Sequence, residues 1–79
     1  MSEGGRKVWN REQLLALNGG AVVKRITPDG QEYLREIEPH YGGGEVYRVS
    51  FWAFGDDVPD DDEPRPEEYP IDVIWEPER

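Results

Sequence analysis

The sequence predicts an α+β fold, with one short amino-terminal helix and a four-stranded, curved antiparallel sheet. Three observations carry that reading. Residues 45–54 and 69–76 alternate apolar and polar side chains with the period of two that marks a strand with one buried face. A β-branched run, Ala21-Val22-Val23-Lys24-Arg25-Ile26-Thr27, is followed by the turn chemistry of Pro28-Asp29-Gly30. A helix-start signature stands at Trp9-Asn10-Arg11-Glu12-Gln13-Leu14.

The helix comes first in the chain. Asn10 is a good N-cap, Gln13 stands where it closes a capping box, and Trp9 and Leu14 occupy the staple positions. Leu14, Leu15 and Leu17 give a one-sided apolar stripe, and Gly19 is a natural stop. About two turns of helix do not persist alone, so this one must pack on the sheet. After the first strand and its turn, a second strand is expected near Glu32 to Glu38, with Tyr33 and Ile37 on one face and Leu34 on the other. Pro39 to Gly44 reads as a loop, because three consecutive glycines cost too much entropy inside an element.

Glu45 to Phe54 is the strongest strand signal. Tyr47, Val49, Phe51 and Ala53 form the expected core face, with Val46, Arg48, Ser50, Trp52 and Phe54 opposite. Gly55 to Pro70 is an acidic, proline-rich connection without periodicity. In the last strand Tyr69, Ile71, Val73 and Trp75 alternate with Pro70, Asp72, Ile74 and Glu76. Consecutive strands usually neighbour one another, so the first three should form a meander. The alternative closure is a small SH3-like barrel.

Length and composition set the outer bounds. Seventy-nine residues make a single domain, 1–79, with the long acidic loop 55–70 as an excursion from it. With no cysteine, neither disulfides nor thiolates supplement the core, which fits a reducing cytoplasm. No run approaches the ~18 apolar residues of a membrane span, and Met1 to Lys7 leads into no apolar stretch of signal type.

The net charge of −9 is local. Residues 1–55 hold seven acids and seven bases, whereas residues 56–79 hold eleven acids against Arg65 and Arg79. Direct nucleic-acid binding is disfavoured, since affinity for a phosphate backbone comes from cations that displace counterions.

Chemistry-bearing residues are sparse. Nucleophilic catalysis needs a nucleophile with a base to activate it, and the only hydroxyls besides tyrosine are Ser2, Thr27 and Ser50, with His40 the single histidine. Ser50 has no polar partner near it in sequence, so the chain is read as a non-enzyme with no cofactor. His40 reads as an exposed loop histidine rather than a metal ligand, because zinc wants three or four protein ligands. Gly42-Gly43-Gly44 lacks the Lys-Ser/Thr pair of a phosphate loop and reads as a hairpin connection.

Two features are left as candidate partner-binding positions. The first is the acidic run Asp56, Asp57, Asp60, Asp61, Asp62, Glu63, Glu67 and Glu68. Its spacing does not match a calcium loop, which leaves a self-repelling linker or a recognition element steered to a basic surface. The second is Trp52 with Phe54, which must point away from Phe51. Uncovered, they mark an interface; covered by Leu14 and Leu17 of the helix, they are core.

Residues 12–24, Glu-Gln-Leu-Leu-Ala-Leu-Asn-Gly-Gly-Ala-Val-Val-Lys, resemble a segment of small proteins encoded by bacteriophages of actinobacteria. In those a helix end of the form LLALP-G leads into a (S/T/A)VV strand and a turn containing Asp-Gly. Asn18 stands where those proteins often carry proline, and the likeness covers about the first thirty residues. It implies a phage accessory protein of the host cytoplasm, a group of which many have no assigned activity and some bind and redirect host proteins. The expected function is therefore a non-enzymatic interaction protein for a host protein with a basic surface. A nucleic-acid mimic that inhibits a DNA- or RNA-binding host protein is the sharper variant. A self-associating assembly protein, built through the last strand or the Trp52 face, is the alternative from another class.

Overall fold

The computed structural model describes residues 6–77. The chain forms β1 (Arg6–Val8), α1 (Arg11–Leu15), β2 (Val22–Ile26), β3 (Glu32–Gly42), β4 (Glu45–Trp52), a 3-10 turn (Pro66–Glu68) and β5 (Ile71–Trp75). The strands make one antiparallel sheet in the order β1-β5-β2-β3-β4. The α+β class is as expected, but the sheet has five strands rather than four. It is open, with β1 and β4 at its edges, so it does not close as a barrel.

The helix start follows the sequence signature. The Asn10 side chain accepts from the Gln13 amide at 2.9 Å, and Gln13 Oε1 accepts from the Trp9 amide at 2.8 Å. Two otherwise orphaned donors are thereby satisfied. Leu14 and Leu17 are buried, and α1 touches both edge strands, bridging the mouth of the curved sheet.

The additional strand is β1. Arg6, Lys7 and Val8 pair with Val73, Asp72 and Ile71. Only Val8 is buried, so three residues carry too little pattern to announce a strand. Opposite charges across the ladder help hold it, Lys7 and Lys24 flanking Asp72 and Arg6 pairing with Glu76.

Residues 39–42 are strand, not loop. β3 runs on to Gly42, and Pro39 lies opposite Val49. The Ile37 amide bonds toward Ala21, on the β2 side. By the alternation of a ladder the Pro39 nitrogen also faces that side, where β2 pairing has already ended, so no ladder bond is lost. The turn is only Gly43-Gly44, with φ of 63° and 85°. Two successive positive φ values are what a tight two-residue hairpin with the sheet's own twist requires.

The core lies on one face of the sheet. Val23, Ile37, Val49, Phe51, Ile71 and Val73 are buried there with Val8, Leu14, Leu17 and Ala21. Two aromatic side chains are set off the face that simple alternation gives them, Tyr47 from the expected core face and Trp75 from the face of Ile71 and Val73, each because of a bulge. The β3–β4 register shifts at His40/Tyr41, pairing Tyr41 with Val46, so Tyr47 is displaced outward and is 52% exposed while Val46 packs on the core. The β2–β5 register shifts so that Val22 faces Trp75 and Val23 faces Val73. Ile74 is the extra residue, and Trp75 lands on the outer face, 58% exposed. No helix among the described residues is long and apolar enough to cross a membrane.

Candidate functional site

The acidic segment is a strap laid across the core face. It leaves β4, and Asp60 then pairs with Phe51 as one antiparallel bridge along the outer edge of that strand, with reciprocal amide bonds of 2.7 and 2.8 Å. Farther on it meets Arg25 of β2, enters the 3-10 turn and joins β5. Helix and strap together cover one face of the sheet.

Its carboxylates are largely used within the chain. Glu68 grips Arg25 with two hydrogen bonds of 2.9 and 3.1 Å in the interior, and Arg25 Nη1 also donates to the Asp62 carbonyl at 3.0 Å. The Arg25 guanidinium stacks 4.6 Å from the centre of the Phe51 ring. Burial pushes the Glu68 carboxyl up, but the hydrogen bonds and charge of Arg25 outweigh it and the net shift is downward. Asp60 stands 3.9 Å from Arg25. Glu63 takes a forked pair of bonds from Arg11, at 2.9 and 3.0 Å, and Arg11 also donates to the Tyr47 carbonyl. Glu67 pairs with Arg65 at 3.3 Å.

Asp61 belongs to a polar knot on the opposite face. Ser50 Oγ donates to Asp61 Oδ1 at 2.5 Å, and His40 Nε2 lies 2.7 Å from Ser50 Oγ. Because Ser50 has one proton and gives it to Asp61, His40 Nε2 must carry its own proton and donate. Arg48 closes the knot on Asp61 at 3.1 Å. The Ser50 bond, with help from Arg48, holds the Asp61 carboxyl below its ordinary value. Serine, histidine and aspartate thus meet, a convergence that the sequence spacing concealed. Their order differs from a nucleophile–base–acid relay, since the serine sits in the middle and its proton points to the carboxylate. His40 is therefore a strand residue, half-buried, not an exposed loop histidine. Among the described residues no group of three or more His, Cys, Asp or Glu side chains is arranged to hold a metal ion.

Among the described residues no helix or strand covers the outer face of the sheet around Trp52, whereas Asp61 of the strap closes over Ser50 at its other end. Leu14 and Leu17 join Phe51 in the core, so the helix lies on the side away from Trp52. A row crosses the uncovered face from Trp75 to Val22, Glu36 and Trp52 on four adjacent strands. Leu34 and Phe54 extend it, exposed by 41% and 62%.

At the Trp52 end this face hollows into a groove of about 580 Å³. Gly19 and Gly20 form one wall, Trp52 and Phe54 the other, and Glu36, Glu38 and Asp56 contribute carboxylates. Gly20 has φ of +90°, which disfavours a side chain there and keeps that wall low. The Trp52 ring is fixed, because Nε1–H donates to Glu38 Oε1 at 2.7 Å. No lysine or arginine among the described residues lines the groove. Among the described residues Glu36, Asp56 and Asp57 have no ion pair.

The candidate positions therefore divide. Asp60, Asp61, Glu63, Glu67 and Glu68 face the chain's own arginines, and Asp62 joins the strap through its backbone. Trp52, Phe54 and Asp56 lie together at the groove, with Asp57 beside it in sequence. Glu36 and Glu38 were missed as site residues. The visible signal was their even-numbered place beside Leu34, on the face opposite Ile37.

No protein-family model, curated protein or solved structure matches the chain.

Proposed function

We propose that this chain is a non-enzymatic binding protein that docks a host protein with a basic surface, using the outer sheet face around Trp52 and Phe54. The observation that carries the reading is the groove on that face, where two aromatic side chains stand beside three carboxylates and, among the described residues, no cation. Surface aromatics clustered with uncompensated charge of one sign suit a partner of the opposite sign. The nucleic-acid mimic draws less support, because five of the strap's carboxylates already neutralise arginines of the same chain. The resemblance to phage proteins supplies the host setting.

Affinity capture from a host lysate, scored by quantitative mass spectrometry, tests this with two variants. Trp52→Ala with Phe54→Ala should lose the partner that the wild type captures. Asp60→Asn with Asp62→Asn should retain it. The reverse pattern would move the site to the strap and defeat the proposal. Self-association remains a second reading, favoured by the exposed Trp75 and Ile74 of β5 on the same sheet. Sedimentation at rising concentration separates the two, since a monomer throughout removes self-association.

A further inference from the structure

Resting on that reading, we infer that the groove at Trp52 receives an arginine- or lysine-bearing extended segment of the partner, its cation set against Glu36 and Asp56 and its apolar neighbours on Trp52 and Phe54. Four features point to this occupant. The groove volume falls in the range of ligand sites, ~300–1,000 Å³, and exceeds what one ion would fill. No lysine or arginine among the described residues of the lining compensates Glu36 or Asp56, so a basic side chain entering the groove finds carboxylates to pair with. The indole is held in one orientation by Glu38, presenting a rigid aromatic wall of the type that accepts a cation or an aliphatic stem. The groove is shallow and open to solvent along its length, which suits an extended chain lying on it rather than a molecule enclosed by it.

Charge complementarity makes a basic segment the occupant. The protein carries −9 overall, and the strap spends its acids on Arg11, Arg25, Arg48 and Arg65 while the groove keeps its own. A basic segment is steered to the molecule by the net field and retained where the carboxylates are free. An acidic or neutral segment gains neither effect.

The test uses the indole N–H signal of Trp52 in a two-dimensional ¹H–¹⁵N spectrum of the full chain, with Trp9 and Trp75 as internal references. The probe is a capped hexapeptide alternating leucine and arginine; its controls are the same peptide with glutamine for arginine, and spermidine. The expected result is a saturable shift of the Trp52 signal with the arginine peptide and binding at least about tenfold weaker for the glutamine peptide, a factor equivalent to ~1.4 kcal/mol. Glu36→Gln with Asp56→Asn should weaken the arginine peptide by a similar factor, and Asp62→Asn should leave it unchanged. Equal binding of the arginine and glutamine peptides overturns the inference. So does spermidine binding as tightly as the arginine peptide, which would make the groove a small-polyamine site. If the Trp52/Phe54 variant still loses the captured host protein while the peptide shows no saturable binding, this inference fails and the broader docking role stands.

Discussion

Arg25 and Glu68, 43 residues apart in the chain, meet in the interior through two hydrogen bonds, with the Phe51 ring against the guanidinium. Their side chains are 3% and 1% exposed. The acidic strap thus reaches the core at one charged point and is bound to the sheet there. Two buried charges are tolerated only because each satisfies the other, and the Ile26 amide also points at Glu68.

Removing either partner should therefore cost far more than removing both. Glu68→Gln or Arg25→Met alone is expected to destabilise the fold by about 3–5 kcal/mol, the usual result of leaving one buried charge unpaired. Arg25→Met combined with Glu68→Met should recover most of that loss. Urea denaturation of the two singles and the double measures it, and additive losses would show that the pair does not act as a unit.

Acid should loosen the strap. The carboxyls of Glu68, Glu63, Asp61 and Asp72 are all held below their ordinary values, the last three chiefly by hydrogen bonds from Arg11, Ser50 and Lys7 respectively. A lowered folded-state value means stability that is complete above the ordinary glutamate value of 4.5 and is lost as pH falls through the lowered one. Denaturation midpoints should be flat from neutrality to about pH 5 and fall below it. Glu68→Gln should show a shallower fall. A midpoint that declines already between pH 8 and 6 would contradict this assignment.

The Ser50 knot is expected to be structural. Ser50 is fully buried and serves three neighbours, so Ser50→Ala should cost about 1–3 kcal/mol. The measurement is again the unfolding free energy. A neutral substitution would mean that water replaces the hydroxyl.

The Gly43-Gly44 turn gives a local test. Open space surrounds both positions, so any cost of substitution comes from backbone conformation alone. Gly43→Asn should be tolerated, since Asn visits the left-handed region, whereas Gly43→Val should cost about 1–2 kcal/mol. Thermal unfolding of the two variants ranks them, and equal midpoints would argue that the turn relaxes.

Much of this fold was legible in the sequence, for reasons that are local. The Asn10–Gln13 cap and the alternation around Val49 and Phe51 need only near neighbours to be read. What stayed hidden depends on distant partners. Arg6 to Val8 become a strand because β5 offers an edge, and Pro39 stays in β3 because β2 has already ended. Tyr47 and Trp75 left the expected face because single-residue bulges reset the parity on which the reading relied. The acidic segment was the largest gap. Its composition suggested a solvated linker or a recognition element, and nothing in its spacing revealed that Arg11, Arg25 and Arg48 stand ready beneath it. For the binding surface, Trp52 and Phe54 could be named from alternation, but Glu36 and Glu38 join them only once β3 lies beside β4.

Residues 60–68 are a strap fastened to the sheet, and it is this that leaves the Trp52 face as the uncovered surface. Amide hydrogen exchange at Asp60 tests it most directly, because that amide bonds to the Phe51 carbonyl at 2.7 Å. Asp60 should be protected to within about tenfold of the reciprocal Phe51 amide, since both open together. Exchange of the Asp60 and Phe51 amides at the rate of an unstructured peptide, while the amides of the β3–β4 ladder stay protected, would contradict it.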